Sequence, residues 1–268
     1  MSGSSIRTRA VVGMFIVAAS FIPGKTEAQS RYTSARNATI DARNARSVRI
    51  EAQAGVLRVE GHSELTEVRV RGTARASRRD NLDDIKLIAE RRGNEVFIKV
   101  DMPEHAQNGW FGRGHEMALD LVIEVPVSLP LDVDDGSGEA KFINTGAISL
   151  EDGSGEVEIR GAHGDVDVND GSGEITIDGV EGSVRISDGS GEIIARNVTG
   201  NVVIREDGSG DIDVSGVGGM MRVEDDGSGS IDVDRIAGDF VVDSDGGGGI
   251  RYENVKGSVR IPDRKRRS

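Results

Sequence analysis

A short segment, Asp-Gly-Ser-Gly or a close variant, recurs along the C-terminal half of the chain. Each copy begins with an aspartate, and the seven are Asp135, Asp152, Asp170, Asp188, Asp207, Asp226 and Asp245. Successive aspartates are 17, 18, 18, 19, 19 and 19 residues apart. The later copies gain their extra residue just before the turn, because one residue separates Ile186 from Asp188 but two separate Ile204 from Asp207. A fixed period of this length indicates a repeat architecture whose units contact their neighbours.

The apolar residues keep their places within each copy. Ile175 and Ile177 alternate with polar residues, Val180 follows at a corner, and Val184 and Ile186 alternate again before the next turn. Alternation with a period of two over about five residues predicts a strand. Each copy therefore predicts strand, corner, strand and turn, and stacking at about 4.8 Å would align the apolar residues of successive copies in ladders.

The sequence thus predicts an all-β fold: a parallel β-solenoid of about seven coils of 17–19 residues, over residues 131–262. The usual hand of parallel connections makes it a right-handed β-helix. An antiparallel meander is the alternative, because short Asp-Gly turns also suit hairpins. In the turn, the aspartate can accept hydrogen bonds from backbone N–H groups two residues on, while glycine supplies positive φ and lets stacked turns approach closely.

Residues 29–130 are β-rich but less regular. Leu57, Val59, Val68 and Val70 look like a degenerate coil, and large apolar residues occupy every second position of residues 117–125, at Met117, Leu119, Leu121, Ile123 and Val125. We expect this region to cap the first open edge of the solenoid, which would otherwise invite aggregation.

The first 28 residues have the pattern of a secretory signal peptide. Arg7 and Arg9 precede an apolar run from Ala10 to Ile22, and a small-residue exit ends at Ala28, after which we expect cleavage. The run is shorter than the roughly 20 apolar residues of a spanning helix. We therefore expect export to the periplasm, the cell surface or the medium, with no transmembrane span after cleavage. The absence of cysteine excludes disulfides and thiol chemistry.

Charge is divided unevenly along the chain. Residues 29–130 carry 16 basic and 15 acidic side chains, whereas residues 131–262 carry 10 basic and 29 acidic ones. The tail, residues 263–268, is basic through Arg264, Lys265, Arg266 and Arg267. We expect no nucleic acid as a partner of the acidic half, because a phosphate backbone would be repelled.

The passage LDLVIEVPVSLPLDVDDGSGEAKF, from Leu119 to Phe142, runs from an alternating strand through Val-Pro into the first Gly-Ser-Gly turn. With the repeats that follow, it resembles the bacterial adhesin-type β-strand repeat family, also called toastrack, from about Ser47 to Ile261. The resemblance implies export or membrane attachment and an association with the cell envelope and its stress responses. It brings no catalytic residues.

The aspartates of the turns allow three interpretations. They can be turn chemistry alone, satisfied by solvent and backbone N–H groups. Calcium could instead lie between stacked turns and be coordinated by Asp and backbone oxygens; the candidates are Asp152, Asp170, Asp188, Asp207, Asp226 and Asp245. Adjacent acids, Asp134 with Asp135 or Asp225 with Asp226, could also form the acid and base of a polysaccharide-degrading enzyme. The acids recur on every coil, which favours a structural role, and the four histidines lack metal-ligand spacing.

Two further segments are candidates for binding. Trp110 and Phe111 lie in a Gly-rich stretch without periodicity and could insert into a membrane or stack on a sugar. The basic tail could hold an anionic lipid or polysaccharide. We therefore expect a non-enzymatic, adhesin-like binding or scaffold protein, with no cofactor other than calcium and an envelope glycan, a membrane surface or a protein as partner. A sensory or regulatory component of an envelope-stress response and a polysaccharide-degrading β-helix enzyme are the alternatives.

Overall fold

The computed structural model describes residues 32–103 and 117–262, and this part of the chain forms two 11-stranded sheets. The N-terminal elements are β1 (Tyr32–Asp41), β2 (Ser47–Glu51), β3 (Leu57–His62), β4 (Glu67–Ala76), a single 3₁₀ turn (Arg79–Leu82), β5 (Lys86–Arg92), β6 (Glu95–Asp101) and β7 (Met117–Pro126). The signal-peptide residues, Trp110, Phe111 and the basic tail lie outside the described residues.

The repeats supply the remaining strands. They are β8 (Leu131–Asp135), β9 (Ala140–Ile143), β10 (Ile148–Asp152), β11 (Val157–Ala162), β12 (Val166–Asp170), β13 (Ile175–Val180), β14 (Val184–Asp188), β15 (Ile193–Val198), β16 (Val202–Asp207), β17 (Ile212–Val217), β18 (Met221–Val223), β19 (Ile231–Ile236), β20 (Phe240–Val242), β21 (Ile250–Val255) and β22 (Val259–Arg260). Even-numbered strands from β8 onward lie in one sheet and odd-numbered strands from β9 onward in the other.

Every neighbouring pair of strands in the repeat region is parallel. Residues one repeat apart lie side by side, as Val166 does with Val184 and Val168 with Ile186. The extra residue of the later copies forms a bulge, where the pairing of β14 with β16 shifts between Ile186 and Ser187. The all-β parallel solenoid is therefore confirmed, and the antiparallel meander is wrong for the repeats.

The core lies between the two sheets as continuous ladders of aliphatic side chains. The inward residues of β13 and β14, such as Ile175, Ile177, Val184 and Ile186, are fully buried. Burial of each such side chain contributes about 1.5–3 kcal/mol, and each coil buries its apolar face against the coils on either side.

The N-terminal region continues the solenoid out of sequence order. Strands β2 and β3 pair in parallel with β8 and β9, and β6 and β7 pair in parallel with the other side of β2 and β3. Antiparallel strands then cover the end, since β5 pairs with β6 while β4 joins β7 to β1. The expected cap is confirmed, but Val68 and Val70 belong to the antiparallel strand β4 rather than to a coil. Alternation predicts a strand without reporting its direction.

A side chain from β1 ties the two sheets together at this end. Arg36 Nε donates a hydrogen bond to the carbonyl oxygen of Ile85 at 3.0 Å, and Arg36 Nη2 donates to that of Leu82 at 2.7 Å. Ile85 is fully buried, so the segment after the 3₁₀ turn covers the interior. Within the described ranges, no helix is long and apolar enough to cross a membrane.

Candidate functional site

The Asp-Gly-Ser-Gly turns stack into one edge of the solenoid, where each joins an even-numbered strand to the following odd-numbered one. Gly173 N donates to the carbonyl oxygen of Ser190 at 2.9 Å, and Gly171 N donates to that of Asp152 at 3.0 Å. Gly173 has φ +147°, and a Cβ there would lie 1.6 Å from the carbonyl oxygen of Gly155. The predicted roles of glycine, positive φ and close stacking, are confirmed.

The aspartates of these turns form a column whose carboxyl groups point into the protein. Parallel pairing places each one directly beside the next, as Asp170 lies between Asp152 and Asp188. Six members are only 1–6% exposed: Asp135, Asp152, Asp170, Asp188, Asp207 and Asp226. Asp245, in the last coil, is partly buried. We call these seven residues the aspartate column.

Backbone donors satisfy only part of the aspartate column. Asp170 Oδ1 accepts from the N–H of Ser172 at 3.1 Å and Asp188 Oδ1 from that of Ser190 at 3.2 Å, as predicted for this turn. Several oxygens meet no hydrogen-bond donor from the described residues: Oδ2 of Asp135, Asp170 and Asp188, and both oxygens of Asp152, Asp207 and Asp226. A buried carboxylate without partners costs several kcal/mol, so protons or a cation must neutralise these groups.

The surroundings favour protons. Burial first, and then the charge of the neighbouring aspartate, raise the pKa of Asp135 to about 7, of Asp152 to about 6 and of Asp188 to about 6. The same causes raise the pKa of Asp207 to about 7 and of Asp226 to about 6. Each of these carboxyl groups is therefore easier to protonate than an exposed aspartate, and protonation removes the repulsion between neighbours in the column.

Calcium coordination is the second interpretation of the aspartate column, and unfolding with and without Ca²⁺ tests it. Ca²⁺ takes six to eight oxygen ligands. The described ranges contain no group of three or more His, Cys, Asp or Glu side chains placed to hold a metal ion. Calcium would therefore have to be bound by pairs of neighbouring carboxyl groups together with carbonyl oxygens of the turns.

A second row of acids lies on the outside of the same edge. The last residue of each turn precedes an odd-numbered strand and is exposed; the row consists of Glu139, Glu156, Glu174, Glu192 and Asp211. Their backbones are in register, since Val157 N donates to the carbonyl oxygen of Glu174 and Ile175 N donates to that of Glu192, both at 2.8 Å. We call these five residues the acidic edge. The recurring glutamate is visible in the sequence, but only the aspartate of the motif stood among the candidate site residues.

The adjacent acid pairs do not face a common site. Asp135 and Asp226 are buried, whereas Asp134 and Asp225 are exposed on the outer face of the same strand or turn. Successive side chains of a strand point to opposite faces. The arrangement of an acid and a base around one glycosidic bond is therefore not formed by either pair.

A surface groove of about 710 Å³ lies at the opposite corner, lined in part by Ser63, Pro130, Asn144 and His163. His163 is held in place by both ring nitrogens, because Nδ1 lies 2.9 Å from Glu181 Oε2 and Nε2 lies 2.8 Å from Asn144 Oδ1. These contacts tie three successive corners together.

The chain was also compared with known proteins. Residues 49–246 match the family model described as Toastrack DUF4097. No curated protein matches the chain. A "putative adhesin" from Bacteroides fragilis aligns at 14% identity and a TM-score of 0.45, covering 87% of this chain and 99% of that one. A "putative lipid binding protein" from Parabacteroides distasonis aligns at 15% identity and a TM-score of 0.46, covering 85% of this chain and 97% of that one.

Proposed function

This chain belongs to the Toastrack DUF4097 family, and we propose that it is an exported, non-enzymatic protein of the cell envelope that acts as an adhesin-like binding or scaffold protein. The signal-peptide pattern of residues 1–28 supports export. The regular solenoid supports a scaffold role, because it presents the same side chain at intervals of about 4.8 Å along a rigid edge.

The acidic edge is the observation that carries the binding proposal. Glu139, Glu156, Glu174, Glu192 and Asp211 are exposed, lie in one row, and have few partners of their own. Among them, Glu174 accepts from Thr176 Oγ1 at 3.0 Å and Asp211 from Ser230 Oγ at 2.8 Å. A row of carboxylates with this spacing suits a partner that carries repeated positive charges, and the attraction would weaken with salt.

We assign a supporting role to two segments outside the described residues. Trp110 and Phe111 lie in the connection from β6 to β7, and the start of β7 is near the turn edge because Leu119 N donates to the carbonyl oxygen of Ala54 at 2.9 Å. Arg264, Lys265, Arg266 and Arg267 follow the last coil and would hold an anionic envelope component.

The test is binding of the purified chain to envelope preparations from the producing bacterium, measured by co-sedimentation over a range of NaCl concentrations. The triple variant Glu156→Gln, Glu174→Gln and Glu192→Gln should bind about tenfold more weakly or worse, since rim charges steer and strengthen association. The variants Trp110→Ala with Phe111→Ala, and a chain ending at Pro262, test the two supporting segments.

A matched control removes three glutamate charges from a part of the surface outside the acidic edge. Glu151 lies in β10, Glu206 lies in β16 and Glu224 directly follows β18; all three are exposed outside the acidic edge, so their triple Gln variant should bind like the original chain. Equal loss in both triple variants would mean that only net charge matters and would remove the acidic edge from the proposal. Release of reducing ends from envelope polysaccharide would instead favour the enzyme alternative.

A further inference from the structure

Among the described residues, antiparallel strands cover the N-terminal end of the solenoid, whereas its last coil is covered on one side only. Strands β21 and β22 are the last described strands of their sheets and pair with β19 and β20 alone. Side chains that face the core in earlier coils are exposed here: Tyr252 is 44% exposed where its neighbour Val233 is 4% exposed, and Val259 is 36% exposed where Phe240 is fully buried. Ile261, at 39%, extends this apolar surface.

Strand β21 has none of the protective devices that act through the inward face of an edge strand. Natural edge strands are protected by inward charges, prolines, bulges, outward charges or short length. The inward positions of β21 are the apolar Ile250, Tyr252 and Val255, and β21 contains no proline, whereas the other sheet ends in the two-residue strand β22 followed by Pro262. Tyrosine is among the residues enriched at protein interfaces.

The charge pattern changes at the same place. All of the net charge of the repeats lies before the last coil, because residues 131–242 carry 26 acidic and 7 basic side chains while residues 243–262 carry three of each. The position of the acidic edge is occupied by Ser230 and then by Gly249 in the last two coils. Residues 243–262 are therefore neutral and residues 263–268 are basic, so repulsion between the acidic repeats of two copies is weakest at this end.

We propose that the open C-terminal end binds the open C-terminal end of a second copy of this chain, with β21 of each copy pairing antiparallel around a two-fold axis. A two-fold contact uses the same surface on both copies. When Tyr252 lies opposite the partner's Tyr252, antiparallel pairing places Arg251 opposite the partner's Glu253 and Glu253 opposite the partner's Arg251. All three residues are exposed, with Arg251 and Glu253 on the outer face. The apolar side chains of the two ends then cover each other, and two ion pairs fix the register.

The experiment measures association of the chain purified from producing cells, by sedimentation equilibrium at micromolar to tens of micromolar concentration. The expected result is a dimer. Arg251→Glu places two glutamates opposite each other in both pairs, and Glu253→Arg places two arginines opposite each other, so each variant alone should raise the dimer dissociation constant about tenfold or more. An equimolar mixture of the two variants should restore dimers, because both opposed pairs of the mixed dimer join a glutamate to an arginine. In one pair, glutamate at position 251 of the first variant faces arginine at position 253 of the second. In the other pair, Glu253 of the first variant faces Arg251 of the second, as in the original chain.

Arg196→Glu is the matched control. Arg196 lies on the outer face of β15 and pairs with Asp213 at 3.4 Å, as Arg251 pairs with Asp232 at 2.6 Å. It should dimerise like the original chain, and circular dichroism should show that all variants remain folded. A monomeric original chain, an equal effect of Arg196→Glu, or failure of the mixture to restore dimers would each overturn the proposal. The proposal would also be overturned if only a chain shortened to end at Pro262 dimerised, because residues 263–268 would then cover the apolar surface in the original chain.

Discussion

Asp226→Asn tests whether the aspartate column is held together by protons. Asp226 is 1% exposed, and its pKa is raised to about 6 from an ordinary value of 3.8. Between these two pKa values the folded chain binds more protons than the unfolded chain, so its stability falls as the pH rises from about 4 to about 6, and the loss is complete above that range. A shift of about two units corresponds to about 3 kcal/mol.

Asparagine cannot ionise, but it has nearly the same shape and can donate to a neighbouring carboxylate. We therefore expect Asp226→Asn to raise the free energy of unfolding by about 2–3 kcal/mol at pH 8, or the melting temperature by about 5–10 °C, and to change little at pH 4.5. Thermal unfolding followed by far-UV circular dichroism at constant ionic strength, with excess chelator, measures both.

Asp225→Asn is the control, because Asp225 is the preceding residue in the chain and is exposed. It should change stability by no more than about 0.5 kcal/mol at either pH. The groups that face Asp226 from neighbouring coils are Asp207 and Asp245, and both lose a like-charged neighbour in the variant. If Asp226→Asn destabilised the chain at pH 8, the folded state would favour the ionised carboxylate, and the reasoning would be refuted.

The other predictions concern cations, turns and export. Adding millimolar Ca²⁺ after excess chelator should leave the melting temperature where an equal ionic strength of NaCl leaves it; a rise of many degrees would identify the aspartate column as a calcium site. Gly173→Ala should destabilise the chain by about 3 kcal/mol or more, because φ is +147° and the new Cβ would meet the carbonyl oxygen of Gly155 at 1.6 Å. Gly249→Ala, whose Cβ would meet nothing within 4 Å, should be nearly neutral, and urea unfolding compares the two. Mass spectrometry of exported protein should find Gln29 at the N-terminus, and an intact Met1 would contradict cleavage.

The regular part of the fold could be predicted from the sequence because each repeat carries the same five apolar positions. The alternation of side chains along a strand also predicts the direction of the aspartate. Val184, Ile186 and Asp188 are two residues apart, so all three face inward. In the later coils Asp207 follows Ile204 by three residues rather than two and is still buried, because the bulge in β16 takes up the extra residue. The spacing of the repeat therefore predicts an inward carboxyl group, whereas the turn motif alone predicts only that the aspartate begins the turn.

The N-terminal region could be predicted only as a cap. That β6 and β7 stack beyond β2 and β3, and that β4 runs antiparallel, depend on pairings between segments far apart in the chain. Local alternation is the same for either direction and either neighbour. The exposure of Tyr252 and Val259 likewise follows from the absence of a next coil among the described residues, and the two residues occupy ordinary core positions of the repeat.

Because β2 and β3 pair with strands far away in the sequence, we expect these pairings to form more slowly than the pairings between successive repeats. Coils of the repeat pair over 17 to 19 residues, as Val166 does with Val184 over 18, whereas Val48 must find Leu131 across 83 residues. Closing the longer loop costs about 1.4 kcal/mol more in chain entropy. We therefore expect the repeats to nucleate and extend by themselves and β2 to enter between β8 and β6 later, so that removing one repeat changes the folding rate less than a change at the β2–β8 pairing does.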